Sequence, residues 1–393
     1  MQTFRNLFCV AFLLPLMLLS RYRLALAQAP LVYLSNAKDA VCLDGSPPAY
    51  SMEMGSGSGK DSWIVHLQGG GWCNTLDDCL QRSTTYLGSS KYMTAFGFGG
   101  ILSNSMAYNP DFYNWNRVYV RYCDGGAFSG DVETGVQVTN GGKTSTLYFR
   151  GRMVWEAIID DLLSKGMSSA DRAILSGDSA GGSSVIFHCN RFRKKMPSST
   201  DVRCLSDAGY FMDIPNLANG YSFQQFFDDI VALHKITMLP SGCTSQRSLG
   251  QCYFPEYSLQ YVTPPIFLLQ SPYDNFQVRY ILAPTGTYSG GSWDACKQAL
   301  LGCSSSQLSI IQGQLRARML DSLNSFIGNK NWGMYMISCY YHTQVVDTFI
   351  WNSNSKINSL TPAQAFSRWY FQRELVQEVD CPFPCNPTCI STS

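Results

Sequence analysis

The sequence predicts an α/β fold in which a mostly parallel sheet is covered by helices on both faces. Compact apolar runs that are typical of strands lie at residues 63–67, 118–122, 173–175, 266–270 and 334–337. A helical pattern at residues 147–166 stops at Gly166 and leads into the third of these runs. Residues 266–270 form an uninterrupted apolar run, as in a strand buried on both faces. Alternation of strand and helix favours parallel pairing.

The stretch that organises the rest of the chain is residues 177–181, Gly-Asp-Ser-Ala-Gly. It has the Gly-x-Ser-x-Gly form of a nucleophile elbow, with a strand predicted before it and a helix after it. This order predicts an α/β-hydrolase-like fold with Ser179 as the nucleophile. A Gly/Ser-rich loop is the alternative interpretation. A chymotrypsin-like protease is disfavoured, because Ala180 separates the serine from the next glycine and no upstream histidine has a suitable setting.

Composition indicates one globular unit. The 393 residues are 45% hydrophobic and 15% charged, with a formal net charge of +1. We find no linker, charge block or repeat, so we predict a single catalytic domain over residues 28–393. A nearly neutral chain has no polyelectrolyte signature, and a nucleic-acid partner is not expected.

The first 27 residues resemble a secretory signal peptide. Arg5 precedes an apolar run at residues 7–19, and small residues offer cleavage after Ala27 or Ala29. The apolar run is too short to span a bilayer. A signal anchor is the alternative, because Arg21 and Arg23 follow the run. We therefore expect a secreted, extracellular protein with no stable membrane association.

Fourteen of the 15 cysteines lie beyond the predicted signal peptide. An even, high number in a secreted chain predicts disulfides, although sequence alone does not give their connectivity. The four histidines are scattered, so no zinc site is predicted. The closely spaced pairs expected to close small loops are Cys73/Cys79, Cys243/Cys252 and Cys296/Cys303.

A glycine run at residues 69–71 follows the strand predicted at 63–67. An α/β-hydrolase keeps part of its oxyanion hole in such a loop, upstream of the nucleophile. We predict that the hole consists of the backbone amides of Gly71, Trp72 and Ala180. A phosphate-binding loop is the alternative, but the Lys-Ser/Thr pair that should follow is missing.

The remaining catalytic residues are sought by their order along the chain, which is serine, acid, histidine in an α/β-hydrolase. His66 precedes Ser179, and His188 lies too far along the following helix to reach it. His342 with Asp274 is favoured, because each follows a convincing strand. His234 with Asp213 stays open as the alternative pair. The predicted chemistry is acyl transfer, with His342 as general base and no cofactor.

Several unusual stretches make the chain similar to the plant pectin acetylesterase family, which is related to the animal carboxylesterase Notum. They extend over nearly the whole chain beyond residue 27. They lie at residues 40–48, 69–73, 109–116, 121–125, 179–182 and 381–389.

The resemblance implies an esterase that removes acetyl groups from pectin in the cell wall, with the triad on Ser179, Asp274 and His342. It also implies a polysaccharide as the binding partner, and we expect a monomer. Two other functions stay open: a wall-binding protein without turnover, and a Notum-like lipid deacylase. Members of the family usually carry cysteine at the positions of Asp178 and Thr343. We hypothesise that those cysteines form a disulfide elsewhere in the family that this chain has lost as a pair.

Overall fold

The computed structural model describes residues 28–352 and 355–389. The predicted signal peptide at residues 1–27 lies outside this range, so its prediction is unchanged by the structure. Strands within the described residues are β1 (Gln28–Ala29), β2 (Leu31–Tyr33), β3 (Ala49–Glu53), β4 (Ser62–Leu67), β5 (Phe96–Gly97), β6 (Asn116–Val120), β7 (Val136–Asn140), β8 (Lys143–Leu147), β9 (Arg172–Asp178), β10 (Asp201–Asp207), β11 (Ile266–Gln270), β12 (Trp332–Met336) and β13 (Gln377–Val379).

Helices of very different length connect these strands. The α-helices are α1 (Leu76–Arg82), α2 (Gly151–Ser164), α3 (Ala180–Lys195), α4 (Ser222–His234), α5 (Ser241–Thr244), α6 (Leu249–Cys252), α7 (Pro255–Ser258), α8 (Asn275–Gln277), α9 (Asp294–Gln298), α10 (Ser305–Ile310), α11 (Arg318–Ser322), α12 (Thr348–Asn352) and α13 (Pro362–Ser367). π-Helical turns directly follow α8, α10 and α13, at Val278–Leu282, Ile311–Ala317 and Arg368–Gln372. 3₁₀ turns lie at Gly57–Gly59, Ser90–Tyr92, Gly100–Leu102, Met167–Ser169, Leu259–Tyr261, Leu300–Gly302 and Asn324–Phe326.

Nine strands form the main sheet, in the order β13-β12-β11-β10-β9-β4-β6-β3-β2. The seven strands from β13 to β6 pair in parallel, and β3 and β2 add an antiparallel edge. The small pairs β1/β5 and β7/β8 lie outside this sheet. The prediction of a mostly parallel α/β-hydrolase-like sheet is confirmed.

Both faces of the sheet are buried. Alternate residues of β9 belong to two separate apolar clusters: Ala173 and Leu175 lie in one, and Ile174 lies in the other. Helix α2 contributes Ile158 and Ile159 to the first cluster, and α13 contributes Phe366 to the second. Since side chains alternate between the two faces of a strand, the sheet is packed against helices on each side.

Seven disulfides pair every cysteine of the described residues. The three short loops expected from the sequence are closed by Cys73–Cys79, Cys243–Cys252 and Cys296–Cys303. The other four are Cys42–Cys123, Cys189–Cys204, Cys339–Cys389 and Cys381–Cys385. Cys339–Cys389 joins the turn after β12 to the end of the described chain.

Among the described residues, no helix is both long enough and apolar enough to cross a bilayer.

Candidate active site

Ser179 lies at the turn between β9 and α3, as the motif predicts. Its φ and ψ are +54° and −124°, a backbone conformation that is strained for a residue with a side chain. A Cβ atom at Gly181 would overlap the carbonyl oxygen of Leu67 on the neighbouring strand, and one at Gly177 would overlap the carbonyl of Gly181. Both glycines are therefore required by close backbone approach. The turn lifts the serine side chain above the end of the sheet.

Three side chains from distant parts of the chain meet at this turn. Nε2 of His342 lies 2.7 Å from Oγ of Ser179. Nδ1 of the same ring lies 2.9 Å and 3.1 Å from the two carboxylate oxygens of Asp274. Ser179 is 6% exposed and Asp274 is fully buried. These distances allow a proton to pass from the hydroxyl to the imidazole and allow the carboxylate to fix the ring.

Strand ends set the positions of the acid and the histidine. Asp274 follows β11 and caps α8, accepting a hydrogen bond from the backbone N–H of Gln277 at 3.0 Å. The side-chain amide of Gln270 donates to the other carboxylate oxygen at 3.1 Å. His342 lies in the segment after β12, which is the parallel neighbour of β11. The site thus lies beyond the carboxyl ends of adjacent strands, where open α/β sheets bind their ligands.

His342 is a stronger base than an isolated histidine. Burial opposes its protonation, but Asp274, with smaller contributions from Asp207 and Asp178, raises its pKa above the ordinary value. Its side chain remains 20% exposed. The ring of Phe276 stacks on the imidazole with centroids 5.1 Å apart and covers one of its faces.

The glycine loop after β4 lies directly against the nucleophile. The backbone N–H of Gly69 donates to Oδ1 of Asp178 at 3.0 Å. A Cβ atom at Gly69 would stand only 2.8 Å from the Cβ of Ser179. Any side chain at residue 69 would collide with Ser179, so glycine is required for the loop to lie this close to the nucleophile.

Gly71 and Trp72 continue this loop. Gly71 has a φ of +65°, and its carbonyl accepts a hydrogen bond from the hydroxyl of Tyr122 at 2.8 Å. Within the described chain, the backbone N–H groups of Gly71 and Trp72 have no hydrogen-bond acceptor. Ala180, the third predicted donor, is the first residue of α3. Free amides beside a helix start are suited to bind an oxyanion.

An apolar cavity of about 350 Å³ opens beside the glycine loop. Its walls come from the loop, from α4, from α8 and from the π turn after α8. The lining residues are Gly71, Trp72, Ser222, Phe223, Phe226, Phe276 and Tyr280. The rings of Phe276 and Tyr280 lie 4.7 Å apart, so the aromatic wall extends from the exposed Tyr280 to the face of His342.

The alternative pair of the sequence analysis is not brought together. His234 is buried, with Nε2 placed 2.9 Å from the carbonyl oxygen of Cys73. Asp213 accepts a hydrogen bond from the hydroxyl of Tyr257. Burial lowers the pKa of His234 to about 4, so it stays neutral. Its contacts are those of a packed core histidine.

The two other histidines also have structural contacts. Nε2 of His188 faces the carbonyl of Phe128 at 2.9 Å, and burial lowers its pKa to about 3. His66 lies between Ser176 and Asp178 at 3.1 Å and 3.0 Å. The sequence order excludes His66 from the triad, but sequence reasoning missed that it supports the carboxylate beside the nucleophile.

Two clusters of potential metal ligands occur in the described chain, around His234 and around Asp380. Each consists otherwise of cysteines in disulfides, Cys73–Cys79 and Cys381–Cys385. Disulfide sulfur offers no thiolate to a metal, so neither cluster has the donors of a zinc site.

Comparison with known proteins places the chain in a family. The model of the family described as pectinacetylesterase matches residues 24–390. The chain belongs to the pectinacetylesterase family. The resemblance stated from the motifs is thereby confirmed, and so is the prediction that the chain is a carboxylic ester hydrolase.

Relatives of this pectinacetylesterase fall into two groups. Pectin acetylesterase 7 of Arabidopsis thaliana is 42% identical over 93% of the chain and 93% of its own length. Pectin acetylesterase 5 of the same plant is 41% identical over 93% of the chain and 85% of its own. The palmitoleoyl-protein carboxylesterase NOTUM of Schmidtea mediterranea is more distant, with 27% identity over 65% of the chain and half of its own length.

Proposed function

We propose that this pectinacetylesterase is a secreted serine esterase that hydrolyses acetyl esters of pectin in the cell wall. The observation that carries the proposal is the continuous contact from Ser179 through His342 to Asp274, with distances of 2.7 and 2.9 Å. A serine, a histidine and a buried acid in this relation form the catalytic unit of acyl transfer on many folds.

The first half of the reaction forms an acyl-enzyme. Oγ of Ser179 attacks the carbonyl carbon of the acetyl ester while Nε2 of His342 takes the hydroxyl proton. Asp274 holds the other ring nitrogen and stabilises the imidazolium. The proton then passes to the sugar oxygen, which leaves as an alcohol. The acetyl group remains bonded to Ser179.

Water completes the cycle. His342 removes a proton from a water molecule, which attacks the acyl carbon and releases acetate, returning the proton to Ser179. Both tetrahedral intermediates carry an oxyanion, and we assign its binding to the amides of Gly71, Trp72 and Ala180. Each such donor typically contributes about 10²- to 10³-fold in rate.

A polysaccharide substrate is supported by the plant relatives, whose names describe them as pectin acetylesterases. The aromatic wall of the cavity suits this substrate class, because ring faces pack well against the apolar faces of sugars. Secretion is supported by the seven disulfides, which persist in oxidising compartments outside the cytosol.

The cavity also favours a second candidate, a lipid deacylase. Its volume of about 350 Å³ is more than an acetyl group fills, and its aromatic lining suits a hydrocarbon chain. The similarity to palmitoleoyl-protein carboxylesterases points the same way. The length of acyl chain that is accepted therefore separates the two candidates.

The test measures acetate release from acetylated pectin and hydrolysis of p-nitrophenyl esters with two to ten carbons. We expect acetyl esters to be preferred, and Ser179→Ala to lower kcat by about 10⁴-fold or more. Asp274→Asn should lower kcat by about 10⁴-fold, because the ring then loses its fixed tautomer. Asp213→Asn is the matched control and should retain activity.

Three outcomes would contradict the proposal. Preference for octanoyl over acetyl esters would favour the lipid deacylase. Wild-type inactivity with retained binding to pectin would favour a wall-binding protein. Loss of activity in Asp213→Asn with retention in Asp274→Asn would mean that the triad is assigned wrongly.

A further inference from the structure

Asp207 lies beside the triad, and its side chain makes no hydrogen bond to a triad side chain. It is the last residue of β10, is fully buried, and pairs in register with Asp178, the residue before the nucleophile. Its backbone carbonyl accepts a hydrogen bond from the N–H of Ser179 at 2.8 Å. The main chain of Asp207 therefore supports the serine turn directly.

The side chain of Asp207 reaches the other half of the site. Its Oδ2 atom accepts hydrogen bonds from the backbone N–H groups of Gln344 and Val345, at 2.6 and 2.7 Å. These residues come two and three positions after His342. One residue thus supports both the turn that carries the hydroxyl and the segment that carries the imidazole.

The segment after His342 depends on such support. Residues 342–344 belong to neither a helix nor a strand, so no ladder of backbone hydrogen bonds fixes them. Farther along, the carbonyl of Val345 accepts the N–H of Ile101 at 2.9 Å. Of the backbone after His342, the part nearest to the histidine is therefore fixed by the hydrogen bonds from Gln344 and Val345 to Asp207.

The electrostatic setting shows which property of Asp207 matters. Burial raises its pKa to about 8, while the charged groups that act on it are Asp178 and His342. Its Oδ1 atom has no hydrogen-bond partner among the described residues. Burial therefore favours the protonated carboxyl group, and Oδ2 can accept the two hydrogen bonds in either protonation state. Acceptance of these hydrogen bonds is thus the property of Asp207 that does not depend on its charge.

We propose that Asp207 is a positioning residue that fixes the backbone after His342 and thereby holds the imidazole over Ser179. This inference rests on the proposed function, because the geometry that it protects is that of the triad. A misplacement of about 1 Å in a catalytic group can reduce the rate by about 10²-fold. Asp207→Asn should preserve the position of the segment, since the asparagine carbonyl oxygen can accept the same two hydrogen bonds. Asp207→Ala should not preserve it, because alanine has no acceptor.

The test compares Asp207→Ala, Asp207→Asn and the control Asp213→Ala, another buried acid in the segment after β10 with one unpartnered oxygen. Steady-state kinetics on p-nitrophenyl acetate are combined with amide hydrogen exchange of the full-length protein over residues 342–346. In Asp207→Ala we expect kcat to fall by about 10-fold or more, with KM within about twofold of wild type. Exchange of the Gln344 and Val345 amides should accelerate by about tenfold or more.

The conservative variant and the control complete the design. Asp207→Asn should recover most of kcat and of the exchange protection, and Asp213→Ala should change neither. Unchanged exchange at residues 344 and 345 in Asp207→Ala would overturn the inference, whatever the activity. A fall in kcat that only matches the loss of folded protein, measured by circular dichroism, would also overturn it. A wild type without esterase activity would contradict the proposed function, and hydrogen exchange would still test Asp207.

Discussion

His342 lies near three acidic side chains, and this environment sets the pH range in which it can act as a base. Asp274 is in contact with the ring, while Asp207 and Asp178 raise its pKa from farther away. A histidine with a raised pKa stays protonated to higher pH. The protonated ring cannot take the proton of Ser179, so activity requires the pH to exceed that pKa.

The first prediction concerns this acid limb. We expect kcat/KM for p-nitrophenyl acetate to fall as the pH drops through an apparent pKa above the ordinary histidine value of about 6.5. In Asp178→Asn the limb should move to lower pH, because one carboxylate that favours the imidazolium is gone. A pH–rate profile of both proteins checks this. An acid limb well below pH 6 in the wild type would contradict it.

Some residues of the site could be predicted from the sequence, and others could not. Ser179 and the glycine loop follow from local motifs, and Asp274 and His342 follow from strand ends and chain order. Asp207 could not be found in this way, since its partners lie 137 and 138 residues away and depend on which strands are neighbours. The only local sign is a carboxylate that ends a buried strand.

Among the elements, α4, α8 and the π turn after α8 determine the shape of the cavity. Helix α4 supplies Phe223 and Phe226, α8 supplies Phe276, and the π turn supplies Tyr280. Tyr280 is 56% exposed, although it is a large aromatic residue at the rim of an apolar cavity. An exposed ring in this position is available to contact a ligand that extends beyond the acyl group.

The second prediction is that Tyr280→Ala weakens binding of the polymer and not of a small ester. Loss of the ring face should cost about 1 kcal/mol, which is roughly fivefold in KM for acetylated pectin. KM for ethyl acetate should stay within about twofold, because that ester is too small to reach the rim. Kinetics on both substrates, with Tyr92→Ala as an exposed aromatic control, provide the measurement. Equal increases for the two substrates would argue against a polymer-binding role.

Element boundaries differ from the predictions where local signals compete. The helix predicted at residues 147–166 is Gly151–Ser164, because residues 143–147 pair with β7 instead. The strand at Ile266–Gln270 has the predicted bounds, since its apolar run is bracketed by prolines and polar residues. The many short helices between α4 and α11 lack a sustained apolar period, so sequence patterns could not place them.

For the molecule as a whole, buried acids make stability depend on pH. Burial raises the pKa of Asp124 to about 6, of Glu256 to about 7 and of Asp207 to about 8. The folded protein thus retains protons that the unfolded chain, with ordinary carboxyl groups, releases. The stability that these protons provide is lost progressively as the pH rises from about 4, the ordinary carboxyl pKa, and the loss is complete once the pH exceeds the folded-state values of 6 to 8.

The third prediction is that the melting temperature falls between pH 6.5 and pH 8.5. In this range the buried His188 and His234, whose pKa values are lowered by burial, are neutral in the folded state. In the unfolded chain, histidines with the ordinary pKa of about 6.5 are half protonated at the lower limit of the range and neutral at the upper limit. The two histidines therefore oppose the fall in stability at about pH 6.5 and cease to oppose it at about pH 8. Thermal unfolding at constant ionic strength gives the measurement, and Glu256→Gln should flatten the slope near pH 7. A melting temperature that rises across this range would contradict the argument.

The order of strands in the sheet could not be predicted from the sequence. Apolar runs identified the central strands, but the neighbours of each strand depend on packing of helices that the sequence only outlines. Disulfide connectivity was equally hidden, apart from the three short loops, because long-range pairs such as Cys42–Cys123 require knowledge of the fold.

The bond between Cys339 and Cys389 has a consequence for the order of events during biosynthesis. Cys339 lies three residues before His342, and the stretch that supplies Cys389 also places the N–H of Phe383 on the hydroxyl of Tyr273, next to Asp274. A ribosome makes this stretch long after it has made Ser179. A growing or reduced chain thus carries the hydroxyl before its base and acid are anchored, and full activity should emerge only once synthesis and oxidation of residues 339–389 are complete.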